Sequence, residues 1–285
     1  KHVGLNVAAD PLFTFSYTGV NGGLVIINAD DPGAWSSQNE QDNRHLARAA
    51  KVPMLDASSP SEAKEFTKLA FDISEKFDRP VIVRITTRVA HSQGIVNLEE
   101  KQNIPLKDFV RDPKKYVMIP AHARPRHVFI EEQIIKLKEY STTSGLNFIE
   151  WKNKKRGIIA NGVAYQYVKE VCSEDSILKI GMVWPLPDDL IKEFASQVEE
   201  LYVVEELDPF IEDYVKSLGF KVKGKEIIPL CGELTPEIVD KALNGKNIES
   251  PLPAYQGVIP PRPPKLCAGC PHGFVFNILK KLDLV

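Results

Sequence analysis

Two periods of apolar residues alternate along this chain, and they outline strands and helices in turn. Leu24 to Asn28 is an unbroken, β-branched-rich apolar run behind Gly22-Gly23, a pattern that predicts a fully buried strand of a parallel sheet. Ser37 and Glu40 stand at capping-box spacing and predict a helix from about Gln38 to Ala50. Val52 to Leu55 reads as a short strand. Ser59-Pro60-Ser61-Glu62 is a second capping box, and the helix it opens places Ala63, Phe66, Ala70, Ile73 and Phe77 on one face. Arg79-Pro80 ends that helix before the apolar run Val81 to Ile85. Ahead of this series, Val3 to Ala8 reads as a strand and Pro11 to Tyr17 as a helix ending near Gly19. Strand and helix in alternation predict a parallel sheet with right-handed crossovers, with Leu24 to Asn28 at its centre.

The period then fails. Asn97 to Arg126 is polar and punctuated by proline, an irregular connector, and His127 to Tyr140 restores helical spacing as a bridging helix. A second α/β series follows: strand Gly157 to Ala160, a turn at Asn161-Gly162, helix Val163 to Cys172, strand Ile177 to Met182, helix Asp188 to Val198, strand Leu201 to Glu205 and helix Pro209 to Leu218. Thr235-Pro236 caps a last helix ending at Asn244-Gly245. Six prolines between Pro251 and Pro264 mark an extended linker. The predicted architecture is α/β: two separate, doubly wound, mostly parallel-sheet domains at 1–95 and 156–246. A connector at 96–155 joins them, a linker spans 247–265, and 266–285 begins a further domain.

Composition narrows the class of protein. With 43% hydrophobic and 26% charged residues, the 285-residue chain can bury a sizeable core. A formal net charge of -2, from 36 basic and 38 acidic side chains, gives no footprint for nucleic acid or for an anionic membrane. No apolar run approaches the roughly 20 residues that span a bilayer. Four cysteines, two of them isolated, do not make a disulfide framework and fit a reducing cytoplasm. The chain opens on Lys1 without a Met, and we expect it to be part of a longer protein.

Two polar clusters stand where strands end and helices begin, the edge at which ligands gather in open α/β sheets. The first holds Asp30, Asp31, Ser37, Gln38 and Asn39, and the second holds Arg88 and His91. A wet helix face is the plain alternative for the first, although amides beside Ser, Asp and Arg suit packed polar interfaces better than solvent. Ser36 to Arg44 is therefore expected to pack against another chain or domain. Loop chemistry is the alternative for the second. Glu205 and Glu206 follow an apolar run without an evident partner and read as an ordinary strand end. Cys267 and Cys270 form C-x-x-C, the half-site used by zinc, iron–sulfur clusters and redox disulfides, with His272 as a possible further ligand. Spacing by itself leaves that choice open.

The run ADDPGAWSSQNEQDNR, with KHVGLNVAADPL before it, RPVIVRITTRVAHSQGIV after it and CAGCPH at Cys267 to His272, closely resembles the alpha subunits of indolepyruvate ferredoxin oxidoreductases. These are thiamine-diphosphate-dependent 2-oxoacid:ferredoxin oxidoreductases, and the resemblance covers the chain in order as an internal stretch of the subunit. It implies a pyrimidine-type thiamine-enzyme domain followed by a transketolase C-terminal-like domain. It also implies oxidative decarboxylation of aryl pyruvates, with coenzyme A taking the acyl group and ferredoxin the electrons. Thiamine diphosphate, Mg2+ and 4Fe–4S clusters are the cofactors expected of the full-length enzyme, with Cys267 and Cys270 as two cluster ligands. The glutamate that activates the thiamine ring is expected before Lys1 and the diphosphate motif after Val285, so this stretch is expected to hold no cofactor itself. A beta subunit is the expected partner in a hetero-oligomer. Two rivals remain at this stage: a non-catalytic α/β assembly subunit, and a related enzyme for pyruvate or a branched 2-oxoacid.

Overall fold

The computed structural model describes residues 2–101, 104–246, 266 and 268–284. Contacts divide the chain into two units, Lys1–Ile248 and Glu249–Val285. The first unit begins with helices α1 (His2–Val7) and α2 (Ala9–Thr18). The strand expected over Val3 to Ala8 is therefore a helix. Val3, Leu5 and Val7 alternate as in a strand, but of the three only Leu5 is buried, in the core that also takes Leu12 of α2. Strand β1 (Val25–Asp30), helix α3 (Asn43–Ala50), strand β2 (Met54–Asp56), helix α4 (Pro60–Phe77) and strand β3 (Val81–Thr86) follow in the predicted order.

Ser59 caps α4 as its spacing predicts, accepting a hydrogen bond from the Glu62 N–H at 3.2 Å. Glu62 reaches back one residue further than the capping box requires, taking the Ser58 N–H at 2.9 Å and the Ser58 hydroxyl at 2.7 Å. Phe66, Ala70, Ile73 and Phe77 are buried, as the helical spacing requires. For α3 the prediction fails at the start. Glu40 turns outward to accept from Gly232 N–H at 3.0 Å, so no box closes at Ser37. Asp42 caps the helix instead, accepting the Arg44 N–H at 3.1 Å, and residues 32–42 form a loop.

The first sheet has the order β1-β3-β2-β7, with β1, β3 and β2 parallel and β7 (Met182–Trp184) antiparallel to β2. β1 is thus an edge strand and not the centre of the sheet; Ile27 is 52% exposed. The central place goes to β3, whose Val81, Ile82 and Val83 are all buried, with Ile82 facing one core and its neighbours another.

Short helices α5 (Thr87–His91) and α6 (Pro113–Tyr116) lie on either side of irregular chain. Helix α7 (Pro120–Thr143) starts seven residues before the predicted His127 and carries Pro125 inside it. Then come β4 (Phe148–Glu150), β5 (Asn153–Asn161), α8 (Gly162–Val171), β6 (Asp175–Ile180), β7, α9 (Asp188–Ser196), β8 (Glu200–Val204), α10 (Phe210–Ser217) and α11 (Pro236–Asn244). The second sheet has the order β4-β6-β5-β8, with β4 antiparallel and the rest parallel. The fold is α/β with two mixed, mostly parallel sheets.

The expected strand Ile177 to Met182 is two strands in two sheets. A Cβ on Gly181 would lie 2.5 Å from the Leu146 carbonyl oxygen, so only glycine permits the close passage there. Asn147 Oδ1 accepts the Gly181 and Met182 N–H groups at 2.8 and 2.9 Å and turns the chain out of the second sheet. By pairing with β2, β7 ties the two halves together, so they are not the separate domains that were expected. One core draws on both: Ile82 of the first sheet and Ile159, Leu178 and Val203 of the second. The linker 247–265 lies outside the described residues. Helix α12 (Pro271–Lys281) belongs to the second unit, with Phe274, Val275 and Ile278 exposed.

Candidate functional site

The carboxyl ends of β1, β2 and β3 bring a set of charged side chains into the interior. Arg84 of β3 donates from Nε to Asp30 of β1 at 2.6 Å and from Nη1 to Asp56 of β2 at 2.8 Å. All three are essentially inaccessible to solvent. Parallel register explains the meeting, since Arg84 is level with Asn28 on one side and Asp56 on the other. Asn43, the first residue of α3, donates to Asn28 Oδ1 at 2.9 Å and Asp30 Oδ1 at 3.1 Å. Asn161, at the end of β5 in the second sheet, donates to Asp56 Oδ2 at 2.5 Å. Burial pushes the Asp56 carboxyl above its ordinary range, while Arg84 and Arg44 oppose the shift.

A second guanidinium crosses between the halves. Arg44 of α3 donates to Glu205 at 2.5 Å and, from Nη2, to the Glu206 and Asp208 carbonyls at 2.9 Å. It also chelates Asp42. Glu205 in turn accepts the Ile211 and Glu212 N–H groups at 3.0 Å, at the start of α10, where helix geometry leaves such donors free. Burial raises the Asp42 carboxyl, but Arg44 outweighs it and holds the group down at about 2. Burial has the upper hand at Glu205 and Glu206, which are both raised. Glu205 and Glu206, which read in the sequence as a plain strand end, are thus buried members of this network. No sequence spacing could pair Glu205 with a residue 161 positions away.

Of the residues singled out in sequence, Asp30, Asp31, Ser37 and His91 line one open recess of about 340 Å3, together with Trp35, Ser36 and Thr87. Asp31 accepts from the Ser36 N–H and the Thr87 hydroxyl, each at 2.9 Å. Burial works to raise its pKa, and these hydrogen bonds outweigh burial and leave it lowered. Gln38 and Asn39 point elsewhere and are exposed, although Asn39 lies within hydrogen-bonding distance of His2 at 3.2 Å, and Gln41 accepts from Asn6 at 2.9 Å. Arg88 is outside the recess and forms an ion pair with Glu233, which precedes α11. Cys270 Sγ and His272 Nδ1 are 3.4 Å apart at the start of α12. Cys267 lies outside the described residues.

The donor set does not fit a cofactor diphosphate. The recess is lined by two carboxylates and no lysine or arginine, and Asp31 has both oxygens engaged by protein donors. Asp30 likewise accepts from Asn28, Asn43 and Arg84, so neither carboxylate is left free to ligate the Mg2+ that accompanies a diphosphate. Asp42, His45 and Asp208 approach one another closely enough for a metal ion, but Asp42 is fully taken up by Arg44. No helix among the described residues is long and apolar enough to cross a membrane.

No family model matches the chain. Among curated proteins, it is 43% identical to indolepyruvate oxidoreductase subunit IorA of Pyrococcus abyssi over an alignment 309 positions long, gaps included, and 41% identical to that of Archaeoglobus fulgidus over 304. The Methanothermobacter thermautotrophicus subunit of the same name is 39% identical over 298. Each alignment covers 99% of this chain and 48% of the relative, so the chain spans about half the length of the curated relatives it matches. Among solved structures, a 2-oxoglutarate:ferredoxin oxidoreductase from Magnetococcus marinus superposes with a TM-score of 0.63 at 14% identity. That superposition covers 85% of this chain and 51% of that one, a likeness of fold. Over nearly its whole length, the chain is thus similar to about half of indolepyruvate oxidoreductase subunit IorA.

Proposed function

We propose that this chain is the central part of the alpha subunit of an indolepyruvate:ferredoxin oxidoreductase, working in a hetero-oligomer with a beta subunit. The reaction is oxidative decarboxylation of aryl pyruvates to aryl-acetyl-CoA, with coenzyme A as acyl acceptor and ferredoxin as electron acceptor. The observation that carries this reading is the 39–43% identity across 99% of the chain to relatives named for indolepyruvate. Thiamine diphosphate, when bound, supplies the electron sink for loss of carbon dioxide.

This stretch contributes the frame. Arg84 joins the strand ends of the first sheet, and Arg44 with the Asn161–Asp56 hydrogen bond holds them against the second, which fixes the edge where 2-oxoacid and cofactor meet. Such a frame acts through preorganisation, because the groups around the reacting atoms need not be ordered at each turnover. The engagement of Asp30 and Asp31 by protein donors supports placing the diphosphate and its Mg2+ on other parts of the enzyme. We assign Cys267 and Cys270 as two of the four ligands of a 4Fe–4S cluster.

The test is the complete alpha subunit, produced with its beta subunit without oxygen. Ferredoxin reduction that requires coenzyme A should be faster with indolepyruvate than with pyruvate or a branched 2-oxoacid. A preference for pyruvate, or no turnover with any 2-oxoacid, would overturn the reading. Cys270→Ser should lower the iron content of that enzyme, and unchanged iron would remove the cluster assignment.

A further inference from the structure

At the seam between the two sheets, Arg84 Nη2, Asp56 Oδ1 and Asn161 Oδ1 are buried and have no hydrogen-bond partner among the described residues. The side chains that carry them come from β3, β2 and the end of β5, and each is at most 3% exposed. All three side chains meet at a single atom. Asp56 Oδ2 accepts from Arg84 Nη1 at 2.8 Å and from Asn161 Nδ2 at 2.5 Å. Each unpartnered atom shares its carbon with one of these bonded atoms: Nη2 with Nη1, the Asp56 oxygens with each other, and the Asn161 oxygen with Nδ2. Covalent geometry therefore keeps the three close to that same oxygen. A polar atom taken out of water without a new hydrogen bond costs stability, so a partner is needed there.

The neighbours of these groups hold them in place. Arg84 is pinned by Asp30 on Nε as well as by Asp56 on Nη1. Asn161 stands at the N-cap of α8, yet its side chain makes no capping bond and turns Nδ2 to Asp56. Exchanging its amide oxygen and nitrogen would set an acceptor against the carboxylate, so charge fixes that orientation. Gly162, the first residue of α8, leaves the flank of Asp56 Oδ1 clear, since a Cβ there would lie 3.2 Å from it.

The unpartnered set has a definite valence. Arg84 Nη2 can only donate, while the Asp56 carboxylate, paired with Arg84, and the Asn161 carbonyl accept. A cation would suit the two oxygens and face the guanidinium; an anion would suit the guanidinium and face the carboxylate. A water molecule accepts from Nη2 and donates to both oxygens, and buried waters typically make about three such bonds. We propose that the seam binds one ordered water, held by Arg84 Nη2, Asp56 Oδ1 and Asn161 Oδ1, as a constituent of the contact between the sheets. It adds a second link from β5 to the first sheet, beside the Asn161–Asp56 hydrogen bond, and ties Arg84 to the second sheet as well.

A crystal structure of the complete subunit in its assembly, at a resolution that shows ordered water, tests this. Density for one water should lie within hydrogen-bonding distance of all three atoms, and no density there overturns the proposal. So does Arg84 Nη2 closed on a protein acceptor such as Glu206, or direct contact between Asp56 Oδ1 and Asn161 Oδ1. Separate soaks in rubidium and bromide distinguish water from an ion, and an anomalous peak at that position with either salt overturns the water. Asn161→Leu is similar in size but lacks the acceptor, so the water's density should disappear from that variant. Unchanged density would overturn the three-way site. Should the variant fail to fold, the native crystal and its soaks decide the matter.

Discussion

At the scale of the residue, Arg84 and Arg44 matter most, because each neutralises carboxylates drawn from different elements. Arg84→Met would leave Asp30 and Asp56 buried without their cation, and breaking one side of a buried pair costs ~3–5 kcal/mol. Denaturant unfolding of the assembled enzyme should show a loss of that order, and Arg84→Lys should recover only part of it, since one ammonium cannot span both acids in a fixed fork. A loss within ~0.5 kcal/mol, typical of surface changes, would mean that the pairs are not formed. Asp42 carries a pH dependence of its own. Its carboxyl is held at about 2, below its unfolded value of 3.8. The unfolded chain thus takes up the proton first, and this contribution is complete above pH 4 and lost as pH falls from there towards 2. Acid titration of stability should steepen across that interval in the native protein, and Asp42→Asn should flatten it.

At the scale of the element, helix starts and sheet crossings decide how the pieces meet. Ser59→Ala removes the cap of α4 and should cost about 1 kcal/mol, read from the unfolding midpoint. Ser37→Ala should have no such effect on α3, because that helix begins six residues later under the Asp42 cap. Equal losses from both substitutions would contradict the observed start of α3. Gly162 opens α8 at φ +50, and a Cβ there would lie 3.0 Å from Asp56 Oδ2. Gly162→Ala therefore combines backbone strain with a push on the carboxylate that Arg84 and Asn161 hold, and it should destabilise by more than the ~1 kcal/mol expected of strain at one residue.

At the scale of the whole molecule, the two sheets share one core and one buried charge network, so the seam should open as a unit. Hydrogen exchange in the assembled enzyme should show that Arg44→Ala speeds exchange in both β2–β3 and the start of α10, where Glu205 receives its backbone donors. Faster exchange confined to α3 would show that the halves do not depend on this residue. We further expect the isolated 285-residue chain to bind thiamine diphosphate and Mg2+ only weakly, because the carboxylates of its recess are already engaged by protein donors and are not free to ligate the metal. Calorimetric titration checks this, and micromolar affinity would place the cofactor on this stretch after all.

The sequence by itself determined what depends on near neighbours. The Ser59 box, the apolar face of α4, the Thr235-Pro236 start of α11 and the alternation of strand with helix were all legible, because each rests on residues within a turn or two of one another. The sequence read Asp30, Asp31, Ser37, Gln38 and Asn39 as one cluster and Arg88 and His91 as another; the recess joins His91 to Asp30, Asp31 and Ser37 and leaves Gln38, Asn39 and Arg88 outside. Tertiary structure decided the rest. Strand order is a choice among long-range pairings, and it put β1 at the edge and sent β7 into the other sheet. α1 took helical form where the sequence read as a strand, because its one buried apolar contact, Leu5, lies in a core built mostly by later residues. Glu205 and Glu206 became buried acids only when Arg44 and Leu234 came to them from distant parts of the chain. Burial and partnership set the charge state of such groups, and neither exists until the two halves have closed on each other.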